Sequence, residues 1–126
     1  MPSLPPEFRQ IRLELAREPG HPEGSNATGY DLLAPLDRAD RLSADIWRKH
    51  KEQCRVHRFR EGEDDLVGHL ARKPGGAWYF DYKGGDADDE SAYHLGSEQF
   101  VTGEYISVRD ERGKMHTYRV VSVRPV

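Results

Sequence analysis

Six histidines, one cysteine and two acidic clusters are the side chains from which this chain could build reactive chemistry. The histidines are His21, His50, His57, His69, His94 and His116, and none is spaced as HxH or HExxH. His57 and His69 sit on either side of the turn Glu61–Asp65, so pairing of the flanking strands would bring them near each other. Two imidazoles beside a carboxylate such as Asp81 can bind Zn²⁺ or exchange protons. Cys54 is the only thiol, which excludes an internal disulfide and a thiolate zinc site. As a nucleophile it would need a neighbouring base. His57 lies three positions on, on the opposite face of a strand. The expectation is no catalytic residue, no metal and no cofactor.

Charge is segregated along the chain. Between Arg48 and Arg60, six cations (Arg48, Lys49, Lys51, Arg55, Arg58, Arg60) face only Glu52, a net of +5. His50, His57 and Phe59 are interleaved with them. Cations for phosphates and rings for bases are what a nucleic-acid surface uses. A solvated face, or pairing with the acids that follow, accounts for the same run. Asp86-Ala87-Asp88-Asp89-Glu90 alternates oxygens as a Ca²⁺ loop does. The sixth and twelfth positions, Ser91 and Ser97, lack the required Gly and Glu, so the loop reads as solvated acid. Within Trp78-Tyr79-Phe80-Asp81-Tyr82, one parity is core and Tyr79 is outward, in the role of an interface anchor.

Period-2 hydrophobicity dictates the elements that carry these residues. Strands are expected over 8–17 (Ile11, Leu13, Leu15 on one face), 30–36 (Tyr30, Leu32, Ala34, Leu36), 54–60, 66–72, 77–82, 104–109 and 115–123, with a short one at 93–95. Val56 and Phe59 have opposite parity, so that strand is bulged or packed on both faces. Glu18–Gly29 reads as a long loop. Ser43 caps a helix that places Ile46, Trp47 and His50 on one face and ends near Glu52. Lys73-Pro74-Gly75-Gly76 and Asp110-Glu111-Arg112-Gly113 are hairpin turns. The fold class is therefore mainly β (α+β at most). It is a small antiparallel β-barrel or strongly curved sheet of about seven strands, with one short helix at 43–52.

Hydrophobic residues make up 36% and charged residues 33%. Those values lean toward disorder, but two Trp, six Tyr and four Phe spread along the chain supply a core. The net charge of -3 argues against a general nucleic-acid binder. Three prolines in the first six residues make 1–7 a flexible tail, with 8–126 as a single domain. The start has neither the basic nor the apolar region of a secretory signal, and no run is long enough to span a membrane. A cytoplasmic location is expected, with the lone thiol reduced.

The stretches Gly29-Tyr30-Asp31-Leu32-Leu33-Ala34-Pro35-Leu36, Trp47, Cys54-Arg55-Val56 and Gly76-Ala77-Trp78-Tyr79-Phe80-Asp81-Tyr82 belong to a wider pattern. With Asp88-Asp89-Glu90 and Phe100 to Val108, they resemble a family of small bacterial proteins of unknown function. The resemblance covers nearly the whole chain, from about Ile11 to Pro125, and transfers no activity and no catalytic residue.

The leading reading is a non-enzymatic cytoplasmic binding module for another protein, with Arg55, Arg58 and Tyr79 as contacts and the loop 18–29 beside them. The second is a small-ligand binder or enzyme with a pocket in the curved sheet, built on His57, His69 and Asp81. The third is nucleic-acid binding by 48–60. Homo-oligomerisation through an edge strand is open; a membrane partner is not expected.

Overall fold

The computed structural model describes residues 4–82, 90–91 and 98–126. The chain runs through β1 (Phe8–Leu15), β2 (Ser25–Pro35), a short helix α1 (Ala44–Lys49) and a 3₁₀ turn (Lys51–Gln53). It continues through β3 (Arg55–Phe59), β4 (Leu66–Arg72), β5 (Trp78–Tyr82), β6 (Glu90–Ser91), β7 (Tyr105–Arg109) and β8 (Met115–Pro125). Every strand pairs antiparallel with the next, and β8 returns to β1, closing a meander barrel. The expected fold class and the seven long strands are therefore present. The two-residue β6 is the thinnest part of the wall, and its described pairs are Tyr79–Ser91, Phe80–Glu90 and Ser91–Arg109. Closure pairs β1 with β8, so neither is an edge. The expected strand at 93–95 and most of the acidic loop (Asp86, Asp88, Asp89) lie outside the described residues.

Alternation decides which side chains fill the barrel. Leu13, Tyr30, Leu32, Val56, Leu70, Phe80, Ile106, Val108, Tyr118 and Val120 are all buried. Tyr30 of β2 touches Phe80 of β5 (ring centroids 5.1 Å) and Tyr118 of β8 (4.9 Å). Rings meeting across the axis make the interior a packed core rather than a ligand chamber. Two glycines allow the wall to fold this tightly. A Cβ on Gly29 would stand 1.9 Å from the Leu13 carbonyl oxygen, and one on Gly68 would stand 2.1 Å from that of Asp81.

Three local expectations change. First, the loop 18–29 is shorter, because β2 begins at Ser25. Leu15 pairs with Ser25 and Glu14 with Gly29, so Asn26–Thr28 form a bulge within the strand. Second, the helix 43–52 is broken at His50 (φ -136°) into α1 and the 3₁₀ turn. Ser43 caps α1 by accepting the Ile46 N–H. Six residues cannot hold a helix alone, so Trp47 anchors it. The indole N–H donates to the Leu70 carbonyl (2.9 Å) and the ring meets Trp78 edge-on (5.4 Å). Third, β3 is packed on both faces. Phe59 is outside, with the Arg12 guanidinium 4.0 Å above its ring, while Val56 and Arg58 point inward.

Part of the expected tail touches the barrel. Leu4 packs on the core and the Glu7 carbonyl accepts the Leu36 N–H. Among the described residues no helix is long and apolar enough to cross a membrane.

Candidate functional site

Strand register determines which of the six singled-out residues share a surface. Leu33 opposes Arg55, Arg55 opposes His69, and His69 opposes Asp81, forming one continuous row across β2–β5. The adjacent row is Asp31, His57 and Val67. Tyr79 opposes Ala71 in the row on the other side. Successive residues of a strand face opposite sides, so Arg55, His57, His69, Tyr79 and Asp81 all lie on the outer wall. His57 and His69 share that face but stand one outward row apart rather than directly opposite.

The outer wall is polar around a small apolar centre. His57 Nε2 is 2.8 Å from Asp65 and its Nδ1 is 3.7 Å from Asp31, which also accepts from Arg12 (2.9 Å). Lys73 sits over the Tyr79 ring at 5.5 Å. Val67, near the start of β4, is 48% exposed. With Gln10, Leu33, Arg55 and His57 it lines an open groove of about 470 Å³. Among the described residues no group of His, Cys, Asp and Glu is arranged to hold a metal ion.

Arg58 does not join this face. Its parity carries it into the barrel, where it is the one buried charged residue among those described, 5% exposed. Its guanidinium lies over the Tyr82 ring (5.2 Å) and 3.5 Å from Glu111. Glu111 reaches from the β7–β8 turn across the barrel mouth and binds Arg60 through both oxygens (2.9 and 3.0 Å). The Arg60 bond holds the Glu111 carboxyl below its usual range against the opposing effect of burial; the charges of Arg60 and Arg58 add to the lowering.

Beside this pair His116 is clamped by two carboxylates. Nδ1 is 3.0 Å from Glu18 and Nε2 is 2.9 Å from Asp110. Burial alone would lower the imidazole pKa, but hydrogen bonds to Glu18 and Asp110, and their charges, outweigh it and raise it. Burial likewise pushes Asp110 up. The bond from His116 and the backbone N–H groups of Lys114 and Arg112 overcome that and hold it below its ordinary value. These groups, with Leu15, Thr28, Glu61, Glu63 and Tyr118, surround a hollow of about 330 Å³.

No family model, curated protein or solved structure matches the chain. Function is therefore read from geometry.

The wall and the mouth differ in what they can do. At the mouth, carboxylates engage Arg58, Arg60 and His116, an arrangement suited to holding parts of the chain together. On the wall, side chains are half-exposed around Val67 and suited to reversible contact. Cys54 is 0% exposed and burial pushes its thiol to about pKa 12, so it stays a protonated core group. The basic run does not form one patch. Arg48 pairs with Asp45 (2.9 Å), Lys51 covers the Trp47 ring (4.8 Å), Arg55 is on the wall, and Arg58 and Arg60 are at the mouth. Sequence reasoning missed the set Glu18, Asp110, Glu111 and His116. Glu18 and His116 are 98 positions apart, and no spacing signals such a pair. The usable signal was parity: an arginine in step with Val56 must find an anion inside the barrel.

Proposed function

We propose that this chain is a non-enzymatic, cytoplasmic binding module that docks another protein on the outer wall of β2–β5. The observation that carries this reading is the register, which sets Arg55, His57, His69, Tyr79 and Asp81 in three adjoining rows on the same face as exposed Val67. An apolar centre ringed by polar and charged groups is the anatomy of a modest protein interface. The filled barrel interior gives the small-ligand reading little support, since Tyr30, Phe80 and Tyr118 occupy the axis. The dispersal of residues 48–60 gives the nucleic-acid reading little support as well. A lone buried thiol fits a reducing compartment.

The test is site-specific cross-linking inside the producing cells. A photoreactive residue at position 67 should give discrete protein adducts. The same group in place of Tyr105, 58% exposed on β7, should not. Equal adducts from both positions, or none from 67, would remove the reading. Single-stranded oligonucleotide should show no binding at low salt; salt-sensitive binding would favour the nucleic-acid alternative.

A further inference from the structure

The segment from Arg17 to Glu23 joins β1 to β2 and folds over the charged mouth. Inside itself it forms a tight turn, in which Glu18 and His21 exchange backbone hydrogen bonds (3.1 and 2.9 Å). Among the described residues, the Glu18–His116 bond is the one side-chain hydrogen bond that ties this segment to another part of the barrel. The other side of the same imidazole holds Asp110, on the turn between β7 and β8.

The two carboxylates are not equivalent. Asp110 also accepts backbone N–H groups from Arg112 and Lys114, both at 2.9 Å, so its own turn fixes it in place. Glu18 has only a distant second contact, His21 at 3.8 Å. An imidazolium donates from both nitrogens and satisfies both acids. A neutral imidazole donates from one nitrogen and turns a lone pair toward the other acid. The better-anchored acid keeps the proton-bearing nitrogen, and the loosely held one is left facing a lone pair.

We propose that His116 is a titratable latch: protonated, it holds Glu18 and closes the 17–23 segment over the mouth; neutral, it keeps Asp110, lets Glu18 go and opens that segment. The charged groups around it are Glu18 and His21 from the β1–β2 connection, Arg60, Glu61 and Glu63 from the β3–β4 side, and Asp110, Glu111 and Arg112 from the β7–β8 turn. The Arg60–Glu111 bond, in which Glu111 is held below its ordinary carboxylate range, does not depend on His116 and keeps the remainder of the mouth shut. Opening is therefore confined to one side. It widens access to the hollow beneath, where Leu15, Thr28 and Tyr118 are lining groups. The latch is independent of what the outer wall binds.

The experiment is an NMR titration of the intact chain from about pH 5 to about pH 9, spanning the ordinary histidine range. It follows the His116 ring together with the amides of Gly20, His21 and Gly24. The segment amides should shift with the same midpoint as His116, above that of free imidazole. The amides of Arg112 and Lys114 should stay protected throughout. Tryptic cleavage after Arg17 should speed up severalfold across the same range. Glu18→Gln should make cleavage fast at every pH, while Asp110→Asn should leave the Glu18 contact in place. His116 titrating with no response from the segment would overturn the latch. So would release of the 110–114 turn in place of the segment, or an unchanged pH dependence of cleavage in Glu18→Gln.

Discussion

At one mouth of the barrel Trp47 lies edge-on against Trp78 with its indole N–H on the Leu70 carbonyl, and Cys54, Leu36 and Leu42 are buried in the same core. At the other, Arg58 and Arg60 converge on Glu111, and His116 bridges Glu18 and Asp110. Both mouths are closed, by different means. The apolar plug works by surface removed from water and does not respond to pH. The ionic plug works by directed bonds between charges, each of which must be matched. The molecule can change state where its seal is titratable: loss of a proton from His116 can open the ionic mouth, and no proton acts on a tryptophan.

The largest test of the contrast is Trp47→Ala. Removing a buried indole, 8% exposed, should cost about 3–5 kcal/mol in urea unfolding, with the same loss at acid and alkaline pH. A pH-dependent loss would break the comparison. At the opposite mouth, Glu111→Ala removes the carboxylate that binds Arg60 through both oxygens and lies 3.5 Å from buried Arg58, and should cost about 3 kcal/mol. A loss below about 1 kcal/mol, that of an exposed ion pair, would show that this carboxylate is not what holds the mouth.

A smaller effect concerns pH itself. His116 has a raised pKa in the fold, so its stabilisation is complete below the ordinary histidine range and fades as pH rises through the raised value. Asp110 and Glu111 have lowered values, so theirs is complete above the ordinary carboxylate range and fades as pH falls through the folded values. Urea midpoints should therefore peak between these limits, and His116→Gln should flatten the alkaline limb and also weaken the acid limb in part, since its bond helps hold Asp110 down. Ser43→Ala removes the cap of α1, a long bond at 3.4 Å, and should cost about 0.5 kcal/mol with no pH dependence. The smallest expected effect is an absence: native Cys54, with its thiol at about pKa 12, should not react with a thiol reagent near neutral pH. Rapid labelling would show that the apolar mouth opens.

Much of the wall was legible along the chain. Ile11, Leu13 and Leu15, then Trp78, Phe80 and Tyr82, alternate without interruption, and both sets are buried as their parity requires. The hairpin signals at 73–76 and 110–113 mark real turns, with Gly75, Gly76 and Gly113 at positive φ. Arg55, His57, His69, Tyr79 and Asp81 could each be named by type, but their arrangement in adjoining rows depends on registers that the turns between strands set. The bulge at Asn26–Thr28 was hidden, because polar residues with Gly on either side have the composition of a loop.

Local pattern was enough for the class of fold, for the core faces of β1, β5 and the Tyr30–Pro35 part of β2, and for the helix start at Ser43. These follow from nearest-neighbour chemistry: a two-residue period, a capping hydroxyl, glycines that accept positive φ. The closure of β8 on β1, the inward turn of Arg58 toward Glu111 and the pairing of Glu18 with His116 come from tertiary folding. Those contacts join residues 53 and 98 positions apart. Local pattern carries no information at such separations, because the barrel's circumference, not the chain's order, brings them together.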